Sequence, residues 1–142
     1  MADIGLTHVA LTSRNMAESI AFYERYAKMA VVHRRHDAST NKSVVWLSDR
    51  TRPFVIVLLE VDQASNELTG FAHLGVGCES REEVDRLCEE ARREGRTCLG
   101  PNDYGYPVGY WAFIVDPDGH NLELSYGQEV GLAVAGKLKV DS

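Results

Sequence analysis

Hydrophobic and polar residues alternate along residues 4–12 of this chain, and a period of two predicts a β-strand. A helix of about three turns is predicted next. Asn15 and Glu18 stand three positions apart at its start, where a side-chain cap and a reciprocal acid are typical. The apolar positions that recur at helical spacing are Met16, Ile20, Tyr23 and Ala27.

The second half of the chain repeats the order of elements found in the first. Polar turns separate the three strand-like runs that complete the first half, residues 30–36, 43–47 and 54–61. A strand at 71–78 and a helix that begins at Ser80-Arg81-Glu82-Glu83 follow. Three short strands are then predicted at 97–99, 111–115 and 121–126. The last two are joined by Asp116-Pro117-Asp118-Gly119, which suits a type I turn.

The pattern therefore predicts an α+β fold built from two βαβββ modules, residues 1–67 and 68–128, followed by a C-terminal tail, 129–142. Matching modules can pack about a local twofold axis, so that their mixed sheets curve around a shared cleft, within one chain or between two. A length of 142 residues with 44% hydrophobic content fits one compact domain with a real core.

Charge and hydropathy narrow the choice of partners. A formal net charge of -6 argues against nucleic acid and anionic membranes, which both require a basic face. No apolar run reaches the roughly 18 residues of a membrane helix, and the first residues lack a signal-peptide pattern. We therefore expect a cytoplasmic protein whose partner is a small molecule. Its cysteines are ten residues apart rather than in Cys-x-x-Cys pairs, which is typical of ordinary thiols.

Two histidines occupy the same place in the two halves. His8 lies in Leu6-Thr7-His8-Val9-Ala10-Leu11 and His73 in Phe71-Ala72-His73-Leu74-Gly75-Val76, 65 positions later. Packing explains one core histidine easily, but two in repeat register favour a site shared by the modules. Strand alternation predicts that both face away from the helices, into the cleft.

One acid lies in the last strand of each half. Glu123 is flanked by Leu122 and Leu124, which are expected to face the helix, so its carboxylate is predicted to face the cleft. An unpaired carboxylate in a cavity is costly, so a cation is the natural counter-charge. Glu60 lies 52 residues after His8, whereas Glu123 lies 50 after His73, and the even difference predicts the same face for both acids.

These residues resemble the vicinal oxygen chelate superfamily, which includes glyoxalase I, type I extradiol dioxygenases, fosfomycin-resistance transferases, methylmalonyl-CoA epimerases and bleomycin-binding proteins. The resemblance covers nearly the whole chain, from Thr7-His8-Val9-Ala10-Leu11 through Ala72-His73-Leu74 to Asp116-Pro117-Asp118-Gly119-His120-Asn121-Leu122-Glu123-Leu124. It implies that His8, His73 and Glu123 bind one divalent metal ion. Glu60 would match the fourth ligand of glyoxalase I, or would act as the catalytic base.

Such a donor set suits Fe(II), Mn, Ni, Co or Zn and leaves open positions for a substrate with two adjacent oxygens. The favoured function is a glyoxalase-like lyase or isomerase, in which the ion polarises a carbonyl and stabilises an enediolate. With iron and a catechol, the same positions would support extradiol ring cleavage. The third alternative is a metal-free protein that sequesters a drug or metabolite.

The stretch before the Asp-Pro turn weighs against ring cleavage, because it carries tyrosine where the dioxygenase signature has its catalytic histidine and phenylalanine where it has a tyrosine. Its aromatic side chains are predicted to contact the substrate: Tyr104, Tyr106, Tyr110, Trp111 and Phe113. The basic run 33–36 is interpreted as a solvated strand end rather than an anion site, and His120 is expected to be exposed. A homodimer is expected, since modules of this kind often complete their cleft across chains.

Overall fold

The computed structural model describes residues 2–139 and contains two successive βαβββ modules. The elements of the first are β1 (His8–Ser13), α1 (Met16–Ala27), β2 (Ala30–Asp37), β3 (Lys42–Ser48) and β4 (Val55–Glu60). Those of the second are β5 (Leu74–Gly77), α2 (Arg81–Arg93), β6 (Cys98–Asp103), β7 (Tyr110–Val115) and β8 (Asn121–Tyr126). A short helix, α3 (Val130–Val134), follows.

The chain divides into two compact units. Unit 1 contains the described residues up to Ala72 together with the turn Asp116–His120, and unit 2 contains His73–Val115 and the described residues from Asn121 onward. Each unit has its own four-stranded mixed sheet, ordered β1-β4-β3-β2 in unit 1 and β5-β8-β7-β6 in unit 2. In both, the first strand lies at the edge and pairs in parallel with the last strand of its module. The predicted α+β fold of paired βαβββ modules is confirmed.

The helices begin where the sequence predicts. The Asn15 side chain accepts a hydrogen bond from the Glu18 backbone N–H at 3.2 Å, and the Ser80 hydroxyl accepts one from the Glu83 N–H at 3.0 Å. Each helix buries its apolar stripe with the sheet of its own module. The fully buried side chains of these helices include Phe22, Tyr23, Val84, Cys88 and Ala91.

The first strand of each module starts later than the sequence predicts. Alternation extended the first to residue 4, yet Leu6 is 88% exposed and β1 begins at His8. Likewise Phe71 is 98% exposed and β5 begins only at Leu74. The alternating pattern is present in both segments, but the parallel strand that would pair with them begins only at Val55 in unit 1 and at Asn121 in unit 2. Sequence gives no signal for that limit.

The turn Asp116–His120 is held in unit 1 by a buried polar network. The Tyr23 hydroxyl donates to Asp116 at 2.7 Å, and the other oxygen of Asp116 accepts from the backbone N–H groups of Asp118 and His120. Burial, reinforced by Asp116, raises the pKa of Tyr23 well above its usual value, so this phenol stays a donor. The prediction that His120 is exposed is wrong: its side chain is fully buried, with Nε2 3.0 Å from the Thr12 carbonyl.

The tail also differs from expectation, because residues 130–134 form a five-residue helix where no pattern predicted one. Within the part of the chain that the structure describes, every helix is too short or too polar to cross a bilayer.

Candidate metal centre

Unit 2 brings together two of the three predicted metal ligands. In the parallel pair of β5 and β8, Gly75 lies beside Glu123, and His73 precedes Gly75 by two residues. Paired residues and residues two apart share a face, so the imidazole and the carboxylate face the same way. His73 Nε2 lies 3.8 Å from Glu123 Oε2. The predicted orientation of Glu123, opposite to the buried Leu122 and Leu124, is observed.

Glu123 is a buried carboxylate with little compensation. The residue is 8% exposed, and burial raises the pKa of its carboxyl group, while His73 acts in the opposite direction. Among residues 2–139, His73 is the only basic side chain within 4 Å of the Glu123 carboxylate. A distance of 3.8 Å is too long for a hydrogen bond, so the stabilisation of this carboxylate is incomplete.

The absence of a side chain at Gly75 leaves room beside this carboxylate. A Cβ atom built on Gly75 would lie 3.3 Å from Glu123 Oε2, closer than most contacts of real Cβ atoms. The glycine therefore leaves space next to the Oε2 atom on the sheet face.

An aromatic row continues the same face. Phe113 pairs with Glu123 across β7 and β8, and its ring centroid lies 4.8 Å from that of His73. Trp111 lies two residues away, with its ring 5.3 Å from Phe113, and Tyr104 packs edge-on against Trp111 at 5.2 Å. The predicted positions of Tyr104, Trp111 and Phe113 thus form a wall that runs from the His73 imidazole outward.

Two predicted aromatic contacts lie elsewhere. Tyr110 belongs to the opposite face of β7, where its hydroxyl donates to Asp85 and the Arg81 guanidinium lies 4.0 Å above its ring. The prediction that Tyr110 faces the substrate is therefore not supported, because consecutive strand residues alternate sides. The Tyr106 hydroxyl accepts a hydrogen bond from the Lys139 backbone N–H at 2.8 Å, which ties it to the tail.

His8 lies at the corresponding position of unit 1. Its Nδ1 is 2.9 Å from the Thr7 hydroxyl. This contact occupies one ring nitrogen and leaves Nε2 for a metal ion, the usual division of roles in metal-binding histidines. The imidazole lines a cavity of about 550 Å³ on its face of the sheet, together with Val55, Val57 and Trp46.

The expectation that Glu60 shares the face of His8 is wrong. β4 places Val55 beside His8 but Glu60 beside Ser13, an odd number of residues further along, so the Glu60 side chain lies on the helix-facing side. There its carboxylate accepts a hydrogen bond from the Ser43 backbone N–H at 2.8 Å.

The residue that matches Glu123 in unit 1 is Val57. Gly75 follows His73 by two residues and pairs with Glu123, just as Ala10 follows His8 by two and pairs with Val57. An apolar side chain therefore stands where the second module has its carboxylate.

A sequence profile of the Glyoxalase/Bleomycin resistance protein/Dioxygenase superfamily matches residues 5–124. The chain belongs to this superfamily. An uncharacterized protein of Pseudomonas aeruginosa is 36% identical over 129 residues, which cover 89% of this chain and 91% of that protein.

Two solved structures of the superfamily show the same fold. A fosfomycin resistance protein, FosX, from Listeria monocytogenes, solved as a point mutant with Mn(II) and 1S,2S-dihydroxypropylphosphonic acid, has a TM-score of 0.72 at 19% identity. The alignment covers 94% of this chain and 99% of that one. The trypanothione-dependent glyoxalase I of Leishmania major has a TM-score of 0.69 at 22% identity and covers 94% of each chain.

Members of this superfamily typically use a divalent metal ion, and the donor set present here fits one. Neighbouring donors that each lie about 2.1 Å from an ion are about 3 Å apart, so small side-chain rotations at His73 and Glu123 would suffice. Among residues 2–139, no three His, Cys, Asp or Glu side chains are grouped closely enough to hold an ion. To hold an ion, the two donors of unit 2 would need a further ligand.

Two cavity-lining arginines were not identified as site residues from the sequence. Arg35 and Arg52 line the cavity beside His8. Arg35 belongs to the basic run 33–36, whose face could be read from alternation. Arg52 lies in the polar turn before β4, and turn residues have no periodicity from which a direction can be inferred.

Proposed function

We propose that this protein is a divalent-metal-dependent enzyme of the glyoxalase type, with His8, His73 and Glu123 as metal ligands and a small substrate that chelates the ion through two adjacent oxygens. The observation that carries the proposal is the buried Glu123 carboxylate, 3.8 Å from His73, whose pKa is raised by burial. A divalent cation is the counter-charge that such a carboxylate lacks.

When bound, the ion would supply a Lewis acid that polarises a substrate carbonyl. The chain's own residues perform the remaining work. His8 is oriented by Thr7, while Phe113 and Trp111 shield the Glu123 face from water and give the substrate an apolar wall. Glu123 is the carboxylate of that face, 3.8 Å from His73, so we assign proton transfer to it.

Glu60 is left out of the proposed ligand set. Its carboxylate is on the helix-facing side of β4 and is engaged with the Ser43 backbone. It therefore provides a matched control: Glu60→Gln removes the same charge as Glu123→Gln from the other sheet.

Metal analysis tests the proposal directly. Protein purified without a tag is expected to contain about one equivalent of Fe, Mn, Ni, Co or Zn, and His73→Ala and Glu123→Gln are expected to lose it, whereas Glu60→Gln keeps it. Equal and negligible metal in all four proteins would overturn the proposal. Oxygen uptake with a catechol panel on the iron-loaded protein separates the lyase or isomerase from a ring-cleaving dioxygenase, and ligand binding insensitive to a chelator would indicate a binding protein.

We further propose a homodimer in which His8 of one chain joins His73 and Glu123 of the other. The proposal follows from the need of unit 2 for another ligand and from the edge positions of β1 and β5, whose outer sides are unpaired in their own sheets. The cytoplasmic location expected from the sequence stays a prediction.

Mixing two inactive variants tests this sharing of ligands. His8→Ala and His73→Ala are each expected to lack metal, but a mixed dimer contains one complete set of ligands. Refolding the two together should restore about a quarter of the wild-type metal content, because half of randomly formed dimers are mixed and each has one intact site of two. No restoration would show that each chain builds its own site.

A further inference from the structure

The cavity beside His8 has an apolar floor. Val55 and Val57 of β4 and Trp46 of β3 line it, and His33 packs on Trp46 with ring centroids 4.6 Å apart. Its volume of about 550 Å³ is in the range of small-molecule sites. The His8 imidazole also lines this cavity, so a molecule bound here would contact His8, one of the proposed metal ligands.

The rim of this cavity is cationic although the chain as a whole is acidic, with a formal net charge of -6. Arg35 and Arg52 contribute guanidinium groups, against the single carboxylate of Asp3 among the lining residues. The Nε of Arg35 donates a hydrogen bond to the Asp37 carboxylate at 3.0 Å, and its Nη1 lies 3.4 Å from His33 Nε2. Within residues 2–139, no carboxylate lies within ion-pair distance of Arg52.

We infer that the substrate of the proposed metal site carries a negatively charged group, such as a carboxylate, which Arg52 binds together with Arg35 at the rim of the His8 cavity. The assignment of this anion to a metal-site substrate rests on the proposed function. A guanidinium group presents paired N–H donors that match the two oxygens of a carboxylate, and the apolar floor holds the rest of the molecule.

The alternative is that Arg52 is simply a solvated turn residue. Arg50 provides the comparison, because it lies two positions away in the same turn and carries the same charge but does not line the cavity. A general attraction of anions to this turn would depend on both arginines equally. A specific anion-binding site in the cavity would depend on Arg52 and not on Arg50.

The experiment uses benzoate as the charged probe and benzamide as its uncharged counterpart of similar shape. Each is titrated into the metal-free protein in EDTA while the indole NMR signals of the two tryptophans are followed, with Trp111→Phe used to assign Trp46. Benzoate is expected to shift the Trp46 signal saturably and to bind about tenfold more tightly than benzamide, since hydrogen bonds to charged groups contribute more than neutral ones.

Arg52→Gln is expected to weaken benzoate binding about tenfold and to leave benzamide unchanged, whereas Arg50→Gln leaves both unchanged. Equal affinity of benzoate for the wild type and Arg52→Gln, or the absence of a Trp46 shift, would overturn the inference. Benzoate binding as expected, in a protein whose metal analysis fails, would retain the anion site but overturn the proposed function and the assignment to a metal-site substrate. Metal binding without benzoate binding would overturn the inference alone.

Discussion

The two sheets have the same strand order and pairing but differ in the side chains on their corresponding faces. His8 and His73 match, whereas Val57 occupies in unit 1 the place that Glu123 has in unit 2. The repeated backbone determines which positions on a sheet face are available to metal-binding side chains. The residue at each position then decides its chemistry: a carboxylate in unit 2 and an apolar side chain in unit 1.

The aromatic neighbours follow the same correspondence. Trp46 pairs with Val57 and Phe113 pairs with Glu123, so each face has one aromatic side chain at the same point of its sheet. Each aromatic ring also packs against a histidine, Trp46 against His33 and Phe113 against His73. The chemistry that differs between the sheets is thus concentrated in the carboxylate on one side and the arginines on the other.

Moving the carboxylate from one sheet to the other is expected to change metal affinity more than any other substitution considered. Glu123→Gln should lower the affinity for Mn(II) or Zn(II) by about a hundredfold or more, since it removes the only anionic donor of the set. Adding Val57→Glu to that variant should restore part of the affinity, because it places a carboxylate at the matching point beside His8. Isothermal titration calorimetry measures both. A double variant no better than Glu123→Gln would contradict the correspondence of the two positions.

The turns that precede the last strand of each module offer a second contrast. Asp118 is buried and accepts hydrogen bonds from the Arg14 backbone, the Arg14 guanidinium and Ser19, whereas Asp49 is exposed and bonds only locally. Asp118→Ala should lower the free energy of unfolding by about 2 kcal/mol, because the buried Ser19 hydroxyl and the Arg14 N–H groups lose their charged acceptor. Asp49→Ala should change it by about 0.5 kcal/mol or less. Urea unfolding compares them, and equal losses would contradict the contrast.

The buried carboxylate predicts a pH dependence that Val57, at the matching place in unit 1, cannot produce. Burial raises the pKa of Glu123 in the folded, metal-free protein, so its stabilising contribution is present below the ordinary carboxyl pKa and is lost as the pH rises through the raised value. The Tm of the metal-free wild type should therefore fall relative to Glu123→Gln over this range. A divalent ion that saturates the wild type should reverse the trend, because it binds the ionised carboxylate and stabilises the wild type but not Glu123→Gln. Parallel Tm curves without metal would contradict this account.

The smallest change in metal affinity is expected from adding one methyl group beside the Glu123 carboxylate. Gly75→Ala would bring a Cβ to 3.3 Å from Glu123 Oε2, so the carboxylate must shift by a few tenths of an ångström. We expect metal affinity to fall about threefold. Gly77→Ala is the matched control, because nothing lies within 4 Å of its added Cβ. An equal change in both variants would show that Gly75 has no special role.

Periodicity predicted the order of elements, the helix caps and the orientation of Glu123, because each depends on local alternation or on a side chain three residues from its partner. It failed at Glu60, where the prediction depended on counting residues across several turns. A change of one residue in such a count moves a strand side chain to the other face. The register of β1 with β4 is a long-range property that no local pattern carries.

The burial of His120 and the position of Tyr110 failed for related reasons. A histidine after a tight turn is usually exposed, but here the turn is anchored to Tyr23 and Thr12, far away in sequence. Tyr110 belongs to an aromatic run in which alternation assigns neighbours to opposite faces, and Asp85 on α2 binds it on the helix side. In both cases, contacts with residues distant in sequence determine where the side chain lies.

The central claim is that two histidines from opposite repeats and one carboxylate bind a single ion. Pulsed EPR of the Mn(II)-loaded protein tests it most directly, because the coupling to imidazole nitrogen counts the histidine ligands. The account predicts two coordinated imidazoles in the wild type and one in each of His8→Ala and His73→Ala at metal concentrations high enough to load them. A wild-type spectrum without nitrogen coupling, or one that is unchanged in His8→Ala, would contradict it.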